Sequence, residues 1–277
     1  MRCFLSQGTR HNDVSRRPRM EQVAMNNIEP NTIRANFSRL TAAQKPSRGA
    51  PLYSLMVNRP LGRVFAATAH RLGLAPNHVT VISAIFTFTG LVMIATIAPG
   101  WLAAVLITAT LVIGYALDAA DGQLARLRGG GTLTGEWLDH VIDALKTATL
   151  HLAVLAMFFR LELPEFWLIV ALVFAATDVV HFAGMLLTDL LTRNAQARLG
   201  APGAAPQNGS TLMSVLKLPT DYGVMSFSFL LLAVPVVFQW FYLALALANF
   251  VYLLLVLRVW YRRLGVLDHA LAGRLPH

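Results

Sequence analysis

Apolar residues gather into six long runs separated by short polar breaks. The runs cover roughly 79–98, 101–122, 137–159, 166–188, 222–239 and 241–261. Each approaches the ~20 residues that an α-helix needs to cross a bilayer. Pro99-Gly100 and Pro164 mark turns between runs, whereas only Gln239 and Trp240 separate the fifth from the sixth. The connection 189–221 is long and contains GAPGAAPQNGS, a flexible composition.

Ahead of the first run the pattern changes. Residues 51–72, PLYSLMVNRPLGRVFAATAHRL, interleave apolar positions with Arg59, Arg63, His70 and Arg71. This predicts an amphipathic helix lying at the membrane surface. Residues 1–50 are polar, lack the apolar stretch of a secretory signal and read as a disordered tail. The expected organisation is a tail over 1–50, an interfacial helix over 51–75, a six-helix transmembrane domain over 76–262 and a C-terminal tail over 263–277. The fold class expected is all-α and integral to a membrane.

Composition supports that reading. The 277 residues are 56% hydrophobic and only 13% charged, against about 25% charged in soluble domains. Cys3 is the sole cysteine, so no internal disulfide can form. The net charge of +9 invites a nucleic-acid reading, but more than half of the 23 Lys and Arg residues precede residue 77. The rest fall mainly in the second-to-third turn, the fourth-to-fifth connection and the C-terminal tail. That bias places both termini in the cytoplasm and matches anionic headgroups better than nucleic acid. A multi-pass protein of a bacterial cell membrane is expected.

The candidate chemistry lies at the cytoplasmic ends of the second and third runs. The chain reads D118-A-A-D121-G122-Q-L-A125-R126, then, after eight residues, G135-E-W-L-D139-H-V-I-D143. Ionisable groups at a membrane are costly and usually functional. Spacings of three and four put each acid pair on one helix face. Two such faces brought together make an all-oxygen anionic pocket, which suits Mg²⁺ or Mn²⁺. Gly122 and Ala125 share the face of Asp118 and leave room for a bulky group, and Arg126 suits a phosphate. A metal–diphosphate site follows, with two ions able to clamp attacking and leaving oxygens. A divalent-cation transporter is the alternative. It accounts for the acids but not for Arg126, nor for acids at one mouth instead of the midplane.

The run D118-x2-D121-G122-x2-A125-R126-x8-G135-x3-D139-x3-D143 resembles, at every specified position, the signature of the CDP-alcohol phosphotransferase family. P76-N77-H-V-T80 is similar to another segment of that family, and the resemblance covers roughly residues 55–262. It implies transfer of a phosphoalcohol group from a CDP-alcohol to an acceptor hydroxyl, with release of CMP. Asp118, Asp121 and Asp139 then look like the principal ligands of one or two Mg²⁺ or Mn²⁺ ions. Asp143 resembles the acid that both touches metal and acts as general base. Gly122 and Ala125 would accommodate the nucleotide, Arg126 would hold the diphosphate, and Asn77 and Thr80 fall on the same nucleotide side. A homodimer is implied as well. A single six-span body without an appended domain points to CDP-diacylglycerol as donor.

Residues for the acceptor are expected among Lys146, Arg193, Arg198, Lys217 and Asp221. Their basic charge tilts the expectation toward a polyol phosphate, such as inositol phosphate or glycerol phosphate. Asp178 and His181, three residues apart, read as a structural hydrogen-bonded pair. Glu136 reads as a first-turn helix acid, and Gly129-Gly130-Gly131 as a turn.

Overall fold

The computed structural model describes residues 53–200 and 218–273, together with Phe37 and Leu40. The expected tail over 1–50, apart from those two residues, lies outside the described residues, as do Lys217 and the GAPGAAPQNGS stretch beyond Gly200. Every described element is helical. A π-helical turn, Ser54–Asn58, runs into α1 (Arg59–Arg71). Then follow α2 (Pro76–Thr96), α3 (Trp101–Leu127), α4 (Leu133–Arg160) and α5 (Glu165–Arg198). A 3₁₀ turn (Leu218–Thr220) leads to α6 (Tyr222–Ser228), a second 3₁₀ turn (Phe229–Ala233) and α7 (Pro235–Ala272).

Five of these helices, α2 to α5 and α7, are long and apolar enough to cross a membrane. The fifth expected run behaves differently. Its apolar residues form the short pair Tyr222–Ala233, and the break falls at Val234-Pro235. No break occurs at Gln239-Trp240, because α7 continues through both for 38 residues in all. Proline is the physical reason. It has no N–H and a fixed φ, so Pro235 opens a helix at its first position, whereas Gln and Trp leave the backbone ladder intact. Two other helices outrun expectation: α5 continues to Arg198, and α7 carries the chain to Ala272.

The helices pack sequentially. α2 lies against α3 and α4, α1 against α3, α4 against α5, and α5 against α7, while the second 3₁₀ turn rests on α3. The main core joins Ile94, Leu111, Val154, Phe158, Phe229 and Tyr242, all at 1% exposure or less. Phe158 meets Tyr242 edge-to-face, with ring centroids 5.7 Å apart, the favoured aromatic geometry. Small residues set the closest approaches, as membrane helix packing requires. Ser83 Oγ donates to the Gly114 carbonyl at 2.9 Å, and a Cβ on Gly114 would collide with Thr87 Oγ1. Between α1 and α3, a Cβ on Gly62 would lie 2.7 Å from Gln123 Nε2.

The five-residue connection from α3 to α4 positions the acids. Gly129 (φ +96°) and Gly130 (φ +134°) take conformations that side chains resist, which confirms the expected turn. Thr132 then caps α4 by accepting the Gly135 N–H at 3.0 Å. With so short a link, the C-terminal end of α3 and the N-terminal end of α4 must lie side by side. Those are the ends that carry the acids.

Candidate active site

Asp118 and Asp121 on α3 meet Asp139 and Asp143 on α4. Carboxylate oxygens of Asp118, Asp121 and Asp139 all lie within 4.8 Å of one another, and a second such group joins Asp139, His140 and Asp143. The first group is purely oxygen, the donor set that hard divalent cations prefer. The residues therefore fit a metal ion of that class.

Each acid has a distinct neighbour. Asp121 is 6% exposed and accepts a 2.6 Å hydrogen bond from Thr80 Oγ1 of α2. Thr80 thus orients a carboxylate rather than facing open space. Asn77 sits beside the α4 terminus, its Oδ1 3.1 Å from where a Cβ on Gly135 would be. Lys146, 6% exposed, places its Nζ against Asp118 Oδ1 and 3.1 Å from Asp143 Oδ1. It is the internal counter-ion of the acid cluster.

Two cavities meet at Asp118. The outer one, about 200 Å³, is lined by Asp118, Asp121, Asp139, Gly122 and Arg126, with Ser54, Arg59 and Gln123. Gly122 leaves Arg126 free to lie along the helix, with Nη1 3.6 Å from where a Cβ would sit. Ala125 is half-buried and does not line this cavity. Arg59 and Gln123 are additions from the structure. Gln123 Nε2 donates to the Arg59 carbonyl at 3.3 Å, fastening α1 to α3. Burial lowers the pKa of the Arg59 guanidinium.

The inner cavity, about 310 Å³, begins at Asp118, Asp143 and Lys146 and extends past Thr147 and Leu150 to Phe174, Asp178 and His181. Asp221 also lines it, but its carboxylate is occupied. It accepts the N–H groups of Gly223 at 2.9 Å and Ser54 at 3.2 Å, and the Tyr115 hydroxyl at 3.3 Å. Burial pushes the Asp221 carboxyl up, and those hydrogen bonds pull it back. Tyr53, in the same corner, is pushed up to about 12 by burial and by the Asp221 charge.

Other expected site residues lie elsewhere. Arg193 is exposed and paired with Glu136 at 3.1 Å and Asp189 at 2.6 Å. Arg198 is exposed near the end of α5, and neither arginine lines either of these two cavities. Glu136 is a first-turn acid of α4, as expected. Asp178 does not pair with His181. Its Oδ2 lies 2.9 Å from His151 Nε2, and His151 Nδ1 lies 2.8 Å from the Tyr242 hydroxyl. His181 instead stacks on Trp260, with centroids 5.8 Å apart. The fully buried His151 imidazole needs partners for both nitrogens, and only α5 and α7 supply them.

An acid cluster with an arginine-lined cavity at one end of a membrane bundle defines a metal-assisted transferase of phosphate esters. The sequence profile of the CDP-alcohol phosphatidyltransferase family matches residues 73–273, and the chain belongs to that family. It is a membrane transferase of phospholipid biosynthesis. No curated protein matches the chain in sequence. Among solved structures, it is similar to the phosphatidylinositol phosphate synthase of Mycobacterium tuberculosis in complex with manganese and citrate. That match has 21% identity and a TM-score of 0.40, and covers 72% of this chain and 87% of that one. The same synthase with CDP-DAG bound matches at 22% identity and a TM-score of 0.40, covering 72% and 92%.

Proposed function

We propose that the protein transfers a phosphatidyl group from CDP-diacylglycerol to the hydroxyl of an acceptor and releases CMP. The observation that carries this is the juxtaposition of two cavities across Asp118. One is lined by acids and guanidinium groups, the other opens at Asp143. The Asp118–Asp121–Asp139 cluster, with Asp143 beside it, would hold one or two Mg²⁺ or Mn²⁺ ions. When bound, such ions neutralise the diphosphate and the leaving CMP. Arg126 and Arg59 add forked donors for phosphate oxygens. Gly122 supplies space for the nucleotide, and Thr80 keeps Asp121 turned toward the cluster.

The chain's own part in the reaction is positioning and proton transfer. Asp143 takes the proton of the acceptor hydroxyl. The acceptor oxygen bonds to the lipid-bearing phosphorus as the bond from that phosphorus to CMP breaks. Lys146 holds Asp143 and Asp118 in register and balances their charge. Six crossings are counted if Tyr222–Ala233 spans the membrane in its short form, with α1 at the surface. Charge bias supports cytoplasmic termini and a cytoplasmic active site in a bacterial cell membrane. The family resemblance supports a homodimer.

The test is incubation of purified protein with radiolabelled CDP-diacylglycerol, Mn²⁺ and mixed hydroxyl acceptors. Label moving from the liponucleotide into a new phospholipid is the expected result. Label that stays in the donor would overturn the reading.

A further inference from the structure

Resting on this transferase reading, we propose that Asp221 is a positioning residue of the donor cavity. It fixes the Ser54–Asn58 turn and, through that turn, the Arg59 guanidinium that meets the diphosphate of CDP-diacylglycerol. Charge and sequence position made Asp221 an expected acceptor residue. Its contacts point to the donor side.

Asp221 is 2% exposed and sits at the N-cap of α6. Its Oδ1 accepts the Gly223 N–H at 2.9 Å and so caps that helix. A cap needs no more than this. Its Oδ2 accepts the N–H of Ser54, 167 residues away in sequence, at 3.2 Å. The Tyr115 hydroxyl of α3 donates to Oδ1 as well, at 3.3 Å. One carboxylate thus joins the π-helical turn, α3 and α6. The rings follow the same pattern. Tyr53 stacks on Tyr115 with centroids 6.0 Å apart and meets Phe227 edge-to-face at 5.5 Å. A Cβ on Gly223 would collide with the Tyr53 ring, so the start of α6 is bare where Tyr53 rests on it.

The turn passes this anchorage to Arg59. The Ser54 carbonyl accepts the Arg59 N–H, the i→i+5 bond of a π-turn. The Arg59 carbonyl accepts Gln123 Nε2 at 3.3 Å. The Arg59 backbone is therefore held on both sides, by α3 through Gln123 and by Asp221 through Ser54. Ser54, Arg59 and Gln123 all line the outer cavity with Asp118 and Arg126. Single π-turns occur mostly at functional sites, and a guanidinium matches phosphate oxygens only when its fork is aimed. The residue type fits the task. A carboxylate accepts on both oxygens, whereas asparagine has one accepting oxygen and an NH₂ that would face a donor.

The experiment uses full-length protein in nanodiscs with Mn²⁺. The native chain is compared with Asp221→Asn, Gly223→Ala, Arg59→Ala and the double variant Asp221→Asn/Arg59→Ala. Equilibrium binding of radiolabelled CDP-diacylglycerol is the first readout. The second is the acceptor KM for CMP release, with whichever of inositol, glycerol, their monophosphates, serine and ethanolamine turns over fastest. Asparagine also caps helices, so α6 should keep its start in Asp221→Asn. That variant should weaken donor binding about tenfold and leave the acceptor KM unchanged. Gly223→Ala displaces Tyr53 without removing the carboxylate. It should weaken donor binding too, and it carries the test if Asp221→Asn fails to fold. In the Arg59→Ala background, Asp221→Asn should add less than about twofold, because its effect passes through Arg59. Native donor binding in the folded variants overturns the proposal and leaves Asp221 a helix cap alone. An acceptor KM that rises by itself, or losses that multiply in the double variant, also overturns it. Native protein that binds no CDP-diacylglycerol would instead remove the transferase reading.

Discussion

Lys146 reaches from α4 to Asp118 on α3 while holding Asp143, three residues earlier on its own helix, at 3.1 Å. One ammonium therefore ties Asp118, which lines both cavities, to Asp143, which lines the inner one. In a chain without bound metal it is the main charge opposing four carboxylates. Removing one partner of a buried ion pair leaves uncompensated charge and costs about 3–5 kcal/mol.

Lys146→Met should accordingly lower the melting temperature of the metal-free protein in detergent. Mn²⁺ should raise the melting temperature of the variant more than that of the native chain, because only the ion then balances the acids. Thermal unfolding with and without Mn²⁺ measures this. Equal shifts in both proteins would show that Lys146 does not serve as the counter-ion.

Thr80 reaches the acid cluster through Asp121, to which it donates a 2.6 Å hydrogen bond. Groups that orient metal ligands typically contribute 10–100-fold to metal affinity. Thr80→Val should raise the Mn²⁺ concentration needed for half-maximal turnover by about that factor. At saturating Mn²⁺ the donor KM should stay near the native value. A donor KM that rises at saturating metal would assign Thr80 to the nucleotide directly.

Arg59 enters the outer cavity from α1, ahead of the matched family region. Hydrogen bonds to charged groups contribute about 1.5–3 kcal/mol. Arg59→Ala should raise the KM for CDP-diacylglycerol at least about tenfold, with kcat little changed. Arg59→Lys should recover only part, since lysine lacks the fork that matches phosphate. Initial rates of CMP release at varied donor give the answer, and an unchanged donor KM in Arg59→Ala would remove the residue from the site.

Asp143 borders the inner cavity and stands beside the all-oxygen cluster, within 4.8 Å of its member Asp139. In its proposed role as proton acceptor it should contribute to turnover far more than to donor binding. Asp143→Asn should bind CDP-diacylglycerol with near-native affinity and lose at least ~10² in turnover. Binding and turnover measured on one preparation decide the matter. A parallel fall in both would make Asp143 chiefly a metal ligand.

Much of the candidate site is legible in the sequence because lipid penalises charge. Asp118, Asp121, Asp139, Asp143 and Arg126 stand out against apolar runs, and helical spacing alone puts each acid pair on one face. The long helices are equally legible from run length. Hydropathy does not locate the break at Val234-Pro235, since both sides are apolar, and a backbone property of proline sets it. Arg59 is hidden among the surface charges of an amphipathic segment, and nothing local distinguishes it from Arg63. The partner of Asp178 is His151, 27 residues away, not the nearby His181. Arg193 is likewise taken by Glu136, 57 residues distant. Such pairings depend on which helices become neighbours, and spacing along one helix carries no record of that.

The most direct test of the account is CMP release by purified protein supplied with CDP-diacylglycerol, Mn²⁺ and an acceptor. CMP should appear one for one with new phospholipid, stop on addition of EDTA and resume when Mn²⁺ is restored. Asp118→Asn and Asp121→Asn should fold and release none. CMP formation that persists in EDTA or in both variants would contradict the assigned site. Mn²⁺ uptake into proteoliposomes without CMP would contradict the transferase itself.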